Sequence, residues 1–317
     1  MQAVILAAGK GSRLKPFTNH CSKAMAPILG RPIAYHVMEQ IIQCGLNDFI
    51  MVTNPADETI EPFFRQVARK ENLQIQFVQQ HEQLGMGHAL LLASPYIKED
   101  FMLSACDNLV KDTVMPTMID RFDNDDANAV LLLKPVPPEK VSSTAIVAFD
   151  NEEIIKILEK PTFEEAPTDM ASLPLYVFKR AYLDYLPSVQ PSIRGEYEMQ
   201  DAMTMMMEEM GGYYGIKTDW RLTLTNVRDL FEINQHYLKK YQPSYIDPTV
   251  KVSETAQLIP PYFIDENVEI EDQAIVGPNI YIDKNGKIGA HATIQNSLLM
   301  LGKTISPSET LNSKIRY

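Results

Sequence analysis

Gln2-Ala3-Val4-Ile5-Leu6-Ala7-Ala8-Gly9-Lys10-Gly11-Ser12-Arg13 passes without a break from an apolar run into a glycine turn that carries cations. The run from Gln2 to Ala8, bounded by Gly9, suits a buried parallel strand. A strand ending in a glycine-rich loop can aim backbone N–H groups at phosphates, because glycine accepts unusual φ/ψ angles and has no Cβ to block approach. Five fixed positive charges (Lys10, Arg13, Lys15, Lys23, Arg31) precede the first carboxylate, Glu39. The formal net charge of the whole chain is −12, so this cluster is a local anion-binding signal. A solvated basic loop is the plainer alternative. The position directly after a strand, and the interleaved Gly9, Gly11 and Gly30, weigh against it.

Strand and helix patterns alternate outward from this turn. Ile33, Val37, Met38 and Ile41 recur at helical spacing, and that helix is expected to end near Cys44-Gly45. Strands are expected at 49–53, 74–79, 101–105 and 129–133, and helices at 59–70, 87–93 and 115–122. This order predicts an α/β domain with a Rossmann-like, mostly parallel sheet and helices on both faces. In such sheets ligands sit beyond the carboxyl ends of the strands. The loops after Ala8 and Gln79 and the Cys106-Asp107-Asn108 turn lie at such ends.

The composition agrees with a folded chain. With 317 residues, one large domain plus a smaller one is the expectation. Hydrophobic residues are 45% and charged residues 22%, which argues against disorder. No apolar run is long enough to span a bilayer, and the start of the chain lacks the basic region of a signal peptide, so no membrane role is expected. The three cysteines (Cys21, Cys44, Cys106) lack CxxC spacing and suit reduced thiols, so a cytoplasmic location is expected. The acidic balance argues against nucleic acid as a partner, because backbone affinity needs a basic surface.

After Pro243 the pattern changes. Ile246, Val252, Leu258, Ile264, Ile270, Val276, Ile282, Ile288 and Ile294 recur at every sixth residue. A strict period of six marks a β-helix, whose short strands stack around an aliphatic column. A chance meander would not hold the period over nine positions. The chain is therefore divided into 1–243 and 244–317.

The segment Leu6 to Thr18, followed by Lys23-Ala24-Met25-Ala26-Pro27-Ile28-Leu29-Gly30-Arg31-Pro32-Ile33, resembles the signature of sugar-1-phosphate nucleotidylyltransferases, the NDP-sugar pyrophosphorylases. The GxGxR part alone is weak; the downstream lysine and Pro-Ile-x-Gly-x-Pro-Ile stretch make it specific. Gln80 to Ala89 is similar to the nucleobase segment of N-acetylglucosamine-1-phosphate uridylyltransferases. Glu159-Lys160-Pro161 matches the family's EKP, and Arg194 to Asp201 resembles a segment of glucose-1-phosphate thymidylyltransferases. A short left-handed β-helix of hexapeptide repeats is also common among these enzymes. The resemblance covers nearly the whole chain.

The resemblance implies attack by a sugar-1-phosphate oxygen on the α-phosphorus of UTP or dTTP, with release of pyrophosphate. Arg13 is suited to the β- and γ-phosphates as a fixed fork of donors. Lys23 is implied at the α-phosphate, where it would stabilise transition-state charge. The backbone of Ala7, Ala8, Gly9 and Gly11, with Gln80 and Gly85, is implied to hold the nucleotide. Lys160 is implied on the sugar phosphate and Glu159 on a sugar hydroxyl. Mg2+ is the implied cofactor, with Asp107 and Asn226 as candidate ligands.

Each assignment has a structural alternative. Lys23 could be a surface lysine, Asp107 a helix cap, and Glu159–Lys160 an exposed ion pair of little worth. The methionines from Met203 to Met210 read as core filler, and His36, His88 and Trp220 as packing residues. Departures from the family pattern cluster in the sugar half: Cys106 and Thr144 replace glycines, Pro174 interrupts an Asn-x-Gly stretch, and Thr223 falls where an aspartate is usual. They motivate the competing expectation of a non-catalytic nucleotide- or NDP-sugar-binding homologue that regulates a partner. The short β-helix is expected to pack on the catalytic domain or to join subunits in a homo-oligomer, and not to transfer acyl groups.

Overall fold

A computed structural model describes residues 1–317. Its first strand, Gln2–Leu6, is bracketed by Asp48–Thr53 and Phe101–Ala105, both parallel to it, and Gln74–Gln79 pairs parallel with Asp48–Thr53. The helices Ile33–Gln43, Ile60–Glu71 and Met86–Ala93 fall between these strands in the chain, as the alternation predicts. In Ile60–Glu71 the buried residues Ile60, Phe64, Val67 and Ala68 make one apolar stripe. The helix stops at Asn72, left-handed at φ 54°, whose N–H returns to Ala68.

The full sheet has nine strands, in the order 74–79, 48–53, 2–6, 101–105, 170–178, 129–135, 213–217, 153–159 and 145–150. The α/β class and the parallel half meet expectation; the other half is mixed. Met170–Phe178 runs antiparallel to both Phe101–Ala105 and Ala129–Pro135. Ala145–Asp150 and Glu153–Glu159 are also antiparallel. Only Asn151 and Glu152 join them, with Asn151 at φ 53°, and so short a link leaves no length for a parallel crossover. Met203, Met206 and Met207 enter this unit's core from the helix Met199–Met210, whereas Met210 is exposed.

From Ser244 the chain winds through short strands that pair parallel in three separate sheets. Successive coils are offset by 18 residues, as in Ile246↔Ile264↔Ile282, which is three periods of six. This three-faced parallel arrangement fits a left-handed β-helix. Ile264, Ile270, Val276, Ile282, Ile288 and Ile294 form its buried column. Corners fall at Asn267, Gln273, Asn279, Asn285 and His291, all at positive φ, again six apart. Asparagine is common there because its short polar side chain tolerates the left-handed region. One residue is lost after Ile294: Ile282 pairs with Leu299, and the column resumes through Ile305 and Leu311.

The chain forms two compact units, Met1–Lys10 with Ala34–Leu222, and Gly11–Ile33 with Thr223–Tyr317. The second therefore contains the glycine-turn segment and the helix Val227–Tyr241 as well as the β-helix.

Candidate active site

In the first unit the strand Gln2–Leu6 delivers Ala7, Ala8 and Gly9 at its carboxyl end. Ala7 and Ala8 are buried, and the Ala7 N–H donates to the Val52 carbonyl at 2.8 Å. Gly9 is exposed, and a Cβ there would meet nothing within 4 Å. The backbone is thus anchored up to the strand end and open immediately beyond it.

Gln80, 4% exposed, follows the edge strand Gln74–Gln79, one strand removed from Gln2–Leu6. Its Nε2 donates to the Gly85 carbonyl at 3.1 Å and lies 3.1 Å from His88 Nδ1. His88, expected only to pack, therefore orients the Gln80 amide. Gly85 is left-handed at φ 97°, and a Cβ there would lie 2.9 Å from the Tyr197 carbonyl oxygen. Tyr197 N–H donates to Leu84 O at 2.8 Å, and Gly87 N–H to Tyr197 O at 3.0 Å. The expected base segment and the Arg194–Asp201 segment, more than a hundred residues apart, are thus fastened together.

The Arg194–Asp201 segment carries a residue that the sequence analysis did not single out. Arg194 lies 2.5 Å from Glu198, 3.5 Å from Glu159 and 4.0 Å from Glu196. Lys160 Nζ is 3.2 Å from the same Glu159 oxygen that Arg194 approaches. Burial raises the Glu159 pKa, Glu198 adds to the rise, and Arg194 opposes it. Two cations therefore share one partly buried carboxylate at the end of the strand Glu153–Glu159. Lys160 is held at φ 49°, its N–H donating to the Thr144 carbonyl at 3.1 Å. Thr144, which departs from the family's glycine, positions Lys160 through its backbone.

Asp107 follows the strand Phe101–Ala105 and is 2% exposed. The short antiparallel pairing of Leu109–Val110 with Arg221–Leu222 brings Arg221 to this turn. There the Arg221 Nε donates to Asn108 Oδ1. Burial lowers the Arg221 pKa, and the Asp107 charge works against that shift. No group of three or more His, Cys, Asp or Glu side chains converges anywhere in the chain, so a divalent ion would rest on few protein ligands.

In the second unit, residues 11–33 form three single 3₁₀ turns, Ser12–Leu14, Phe17–Asn19 and Lys23–Met25, and then the hairpin Pro27–Ile28 with Arg31–Pro32. Leu14, Phe17, Ala24 and Ile28 are buried, whereas Arg13 is exposed. Gly11 is left-handed at φ 59°, and a Cβ there would lie 3.1 Å from both Lys23 Cβ and Thr18 Cγ2. Its carbonyl accepts from Leu14 N at 2.9 Å and from Thr18 Oγ1 at 3.1 Å. Gly11 thus lets the Arg13 turn close onto the Lys23 turn.

Asn226 caps the helix Val227–Tyr241. Its Oδ1 accepts from Arg228 N at 2.8 Å and Asp229 N at 3.2 Å, while Asp229 Oδ2 accepts from Asn226 N at 2.9 Å. This reciprocal capping box engages the oxygen that a metal would need.

An α/β sheet running into a cation-bearing glycine turn, with a second cation pair at another strand end, is the arrangement against which known families are compared. The chain belongs to the nucleotidyl transferase family, whose profile matches residues 2–240. Residues 258–315 match the GMPPB C-terminal domain. A bifunctional protein GlmU of Methanococcus maripaludis is 34% identical over 242 residues, 76% of this chain and 55% of that protein. The chain thus spans about half the length of this bifunctional relative. The UTP–glucose-1-phosphate uridylyltransferase AglF of Haloferax volcanii is 34% identical over 237 residues, 74% of this chain and 96% of AglF. A UDP-glucose pyrophosphorylase crystallised with UDP-glucose shares the fold, with a TM-score of 0.67 at 23% identity over 75% of this chain and 98% of its own. The family expected from the glycine turn and the EKP motif is the family found. No helix is long and apolar enough to cross a membrane.

Proposed function

We propose that this chain couples a sugar-1-phosphate to UTP or dTTP, releasing pyrophosphate and giving an NDP-sugar. One observation carries the reading: an acidic chain holds two separate cation sets in fixed backbone settings, one for each phosphorylated substrate. Arg13 and Lys23 ride on turns that Gly11 brings together. Lys160 and Arg194 converge on Glu159.

In the reaction an oxygen of the sugar phosphate forms a bond to the α-phosphorus, and the bond from that phosphorus to the β-phosphate bridging oxygen breaks. Pyrophosphate leaves with the bond's electron pair. Two polyanions must meet, so their repulsion has to be screened. Arg13 holds the β- and γ-phosphates as a bidentate donor. Lys23 stabilises charge developing on the α-phosphoryl oxygens. Lys160 and Arg194 hold the incoming sugar phosphate, and Glu159 accepts from a sugar hydroxyl. The Ala7–Ala8 backbone and Gln80 read the base, Gly9 leaves the backbone open to the phosphates, and Gly85 keeps the base segment seated.

Asp107 would hold a magnesium ion, whose chemistry would be to neutralise phosphate charge. Asp107 fits this role as a hard oxygen donor at a strand end. Asn226 fits poorly, because two N–H groups already occupy its Oδ1. We therefore narrow the metal-ligand assignment to Asp107.

Pyrophosphate release from UTP and dTTP, assayed with magnesium against a panel of sugar-1-phosphates, tests the proposal. Turnover with at least one pair is expected. The capped Asn226 favours one competing reading, a nucleotide-binding homologue that regulates a partner. Binding without turnover across the panel would establish that reading instead.

A further inference from the structure

Residues 11–33 are built from single turns and a hairpin of two residues per strand, so packing from outside the segment bears on their form. What braces them lies in the same compact unit. The hairpin turn is gripped at two consecutive residues, Leu29 at φ 43° and Gly30 at φ 76°.

Asn234, fully buried in the helix Val227–Tyr241, holds the first. Its Oδ1 accepts from Leu29 N at 3.0 Å, and its Nδ2 donates to Pro27 O at 3.2 Å and to Leu230 O at 3.0 Å. The next residue, Gln235, ties the same helix to the β-helix through Asn279 O at 3.0 Å.

The β-helix holds the second. One of its faces carries Tyr245, Phe263 and Tyr281 in register, each directly before an inward isoleucine and so pointing outward. Ring centroids are 4.7 Å apart for Tyr245–Phe263 and 5.8 Å for Phe263–Tyr281. Tyr245 is 42% exposed, whereas Tyr281 is fully buried. Gly30 packs on this ladder: a Cβ there would lie 3.0 Å from Phe263 Cε1 and 3.1 Å from Asp265 Oδ2. A further contact joins the last coil to the segment, Phe17 against Tyr317 at 5.8 Å, edge to face.

Only Ala26 separates the hairpin from the Lys23–Met25 turn, and it is pinned on both sides, donating to Lys23 O at 3.2 Å and accepting from Ile33 N at 2.9 Å. Anything that fixes the hairpin therefore fixes the Lys23 backbone. We propose that Asn234 and Phe263 are positioning residues for Lys23 and Arg13, and that the β-helix serves the transfer reaction as the brace of its cation segment. This inference rests on the nucleotidyl-transfer reading only for its kinetic consequence.

Hydrogen–deuterium exchange of the full chain, with kinetics alongside, tests it. Phe263→Ala removes an outward ring and keeps the aliphatic column. Asn234→Ala removes the amide, and Asn234→Asp keeps the acceptor for Leu29 N. In both alanine variants, amides of residues 11–33 are expected to exchange about tenfold faster or more, with peptides of the central sheet and inner coils unchanged. Asn234→Asp should restore part of the protection. The kcat should fall while KM for the sugar-1-phosphate stays as in wild type. Wild-type exchange in 11–33 in both alanine variants overturns the proposal, as does equal acceleration throughout the chain. Exchange needs no turnover, so an inactive wild-type chain would refute the reaction while leaving the brace to be judged on exchange alone.

Discussion

Replacing Gly9 and Gly11 by alanine, one at a time, separates two uses of glycine that look alike in the sequence. At Gly11 the backbone is left-handed at φ 59°, which costs an L-residue about 1–2 kcal/mol. The new methyl would also lie 3.1 Å from Lys23 Cβ and from Thr18 Cγ2, so one turn must shift against the other. Crowding of this kind adds roughly 1 kcal/mol or more. Gly11→Ala should therefore destabilise by about 2–3 kcal/mol. That corresponds to about 2–4 °C in Tm per kcal/mol in a domain of ordinary size. Gly9 has no left-handed φ, and an added Cβ meets nothing within 4 Å. Gly9→Ala should leave stability within about 0.5 kcal/mol. If a phosphate chain approaches this backbone, however, the methyl occupies its path, and affinity for a magnesium-loaded triphosphate should fall about tenfold or more. Thermal melts and isothermal titration calorimetry give the two readouts. A Gly9→Ala chain that binds UTP and dTTP as the wild type does would falsify the phosphate-cradle assignment. A Gly11→Ala chain of unchanged Tm would refute the account of the two turns.

The other expected outcomes touch separate parts of the chain. Lys23→Ala should lower kcat by about 10²–10³, the usual loss when one preorganised donor to a transition-state oxyanion is removed; a normal rate in a stopped-flow pyrophosphate assay would exclude Lys23 from the chemistry. Asn226→Ala should cost about 1 kcal/mol of stability by removing a helix cap, with the magnesium dependence of turnover unaltered; a shifted magnesium midpoint would return Asn226 to the metal. Glu309, hydrogen-bonded to Arg316 at 2.9 Å and to Ser306 N at 2.9 Å, has its pKa lowered to about 2. A depressed carboxylate pKa stabilises the fold above the unfolded-state value of about 4.3, and that stability is lost as pH falls through the folded value. Glu309→Gln should thus melt lower than wild type at neutral pH, with the gap closing below pH 4. Curves that stay parallel down to pH 2 would show that the ion pair does not matter, as is common for exposed pairs.

Much of the candidate site was legible in the sequence because its signals are local. The glycine turn, the strand before it and the clustered cations depend on neighbouring residues alone. So does the β-helix, whose period of six follows from stacking one inward residue per short strand. A further repeat is equally local: Tyr245, Phe263 and Tyr281 stand 18 residues apart, and outward aromatics at coil spacing mark a face that something covers. The break after Ile294 was harder to foresee, since a coil can drop a residue at a corner while keeping its column.

What the sequence determined alone was the order and type of the elements up to residue 133, the β-helix repeat, the family and the cation-bearing turn. All rest on hydrophobic period, glycine chemistry and charge within short windows. Tertiary structure decided which of these act together. It set Arg194 beside Lys160, seated Gly85 against Tyr197 and joined residues 11–33 to the β-helix. Those pairings arise from strand order and packing between residues tens to hundreds of positions apart. No local pattern encodes them, because loop closure imposes little preference among distant partners and complementary surfaces make the choice.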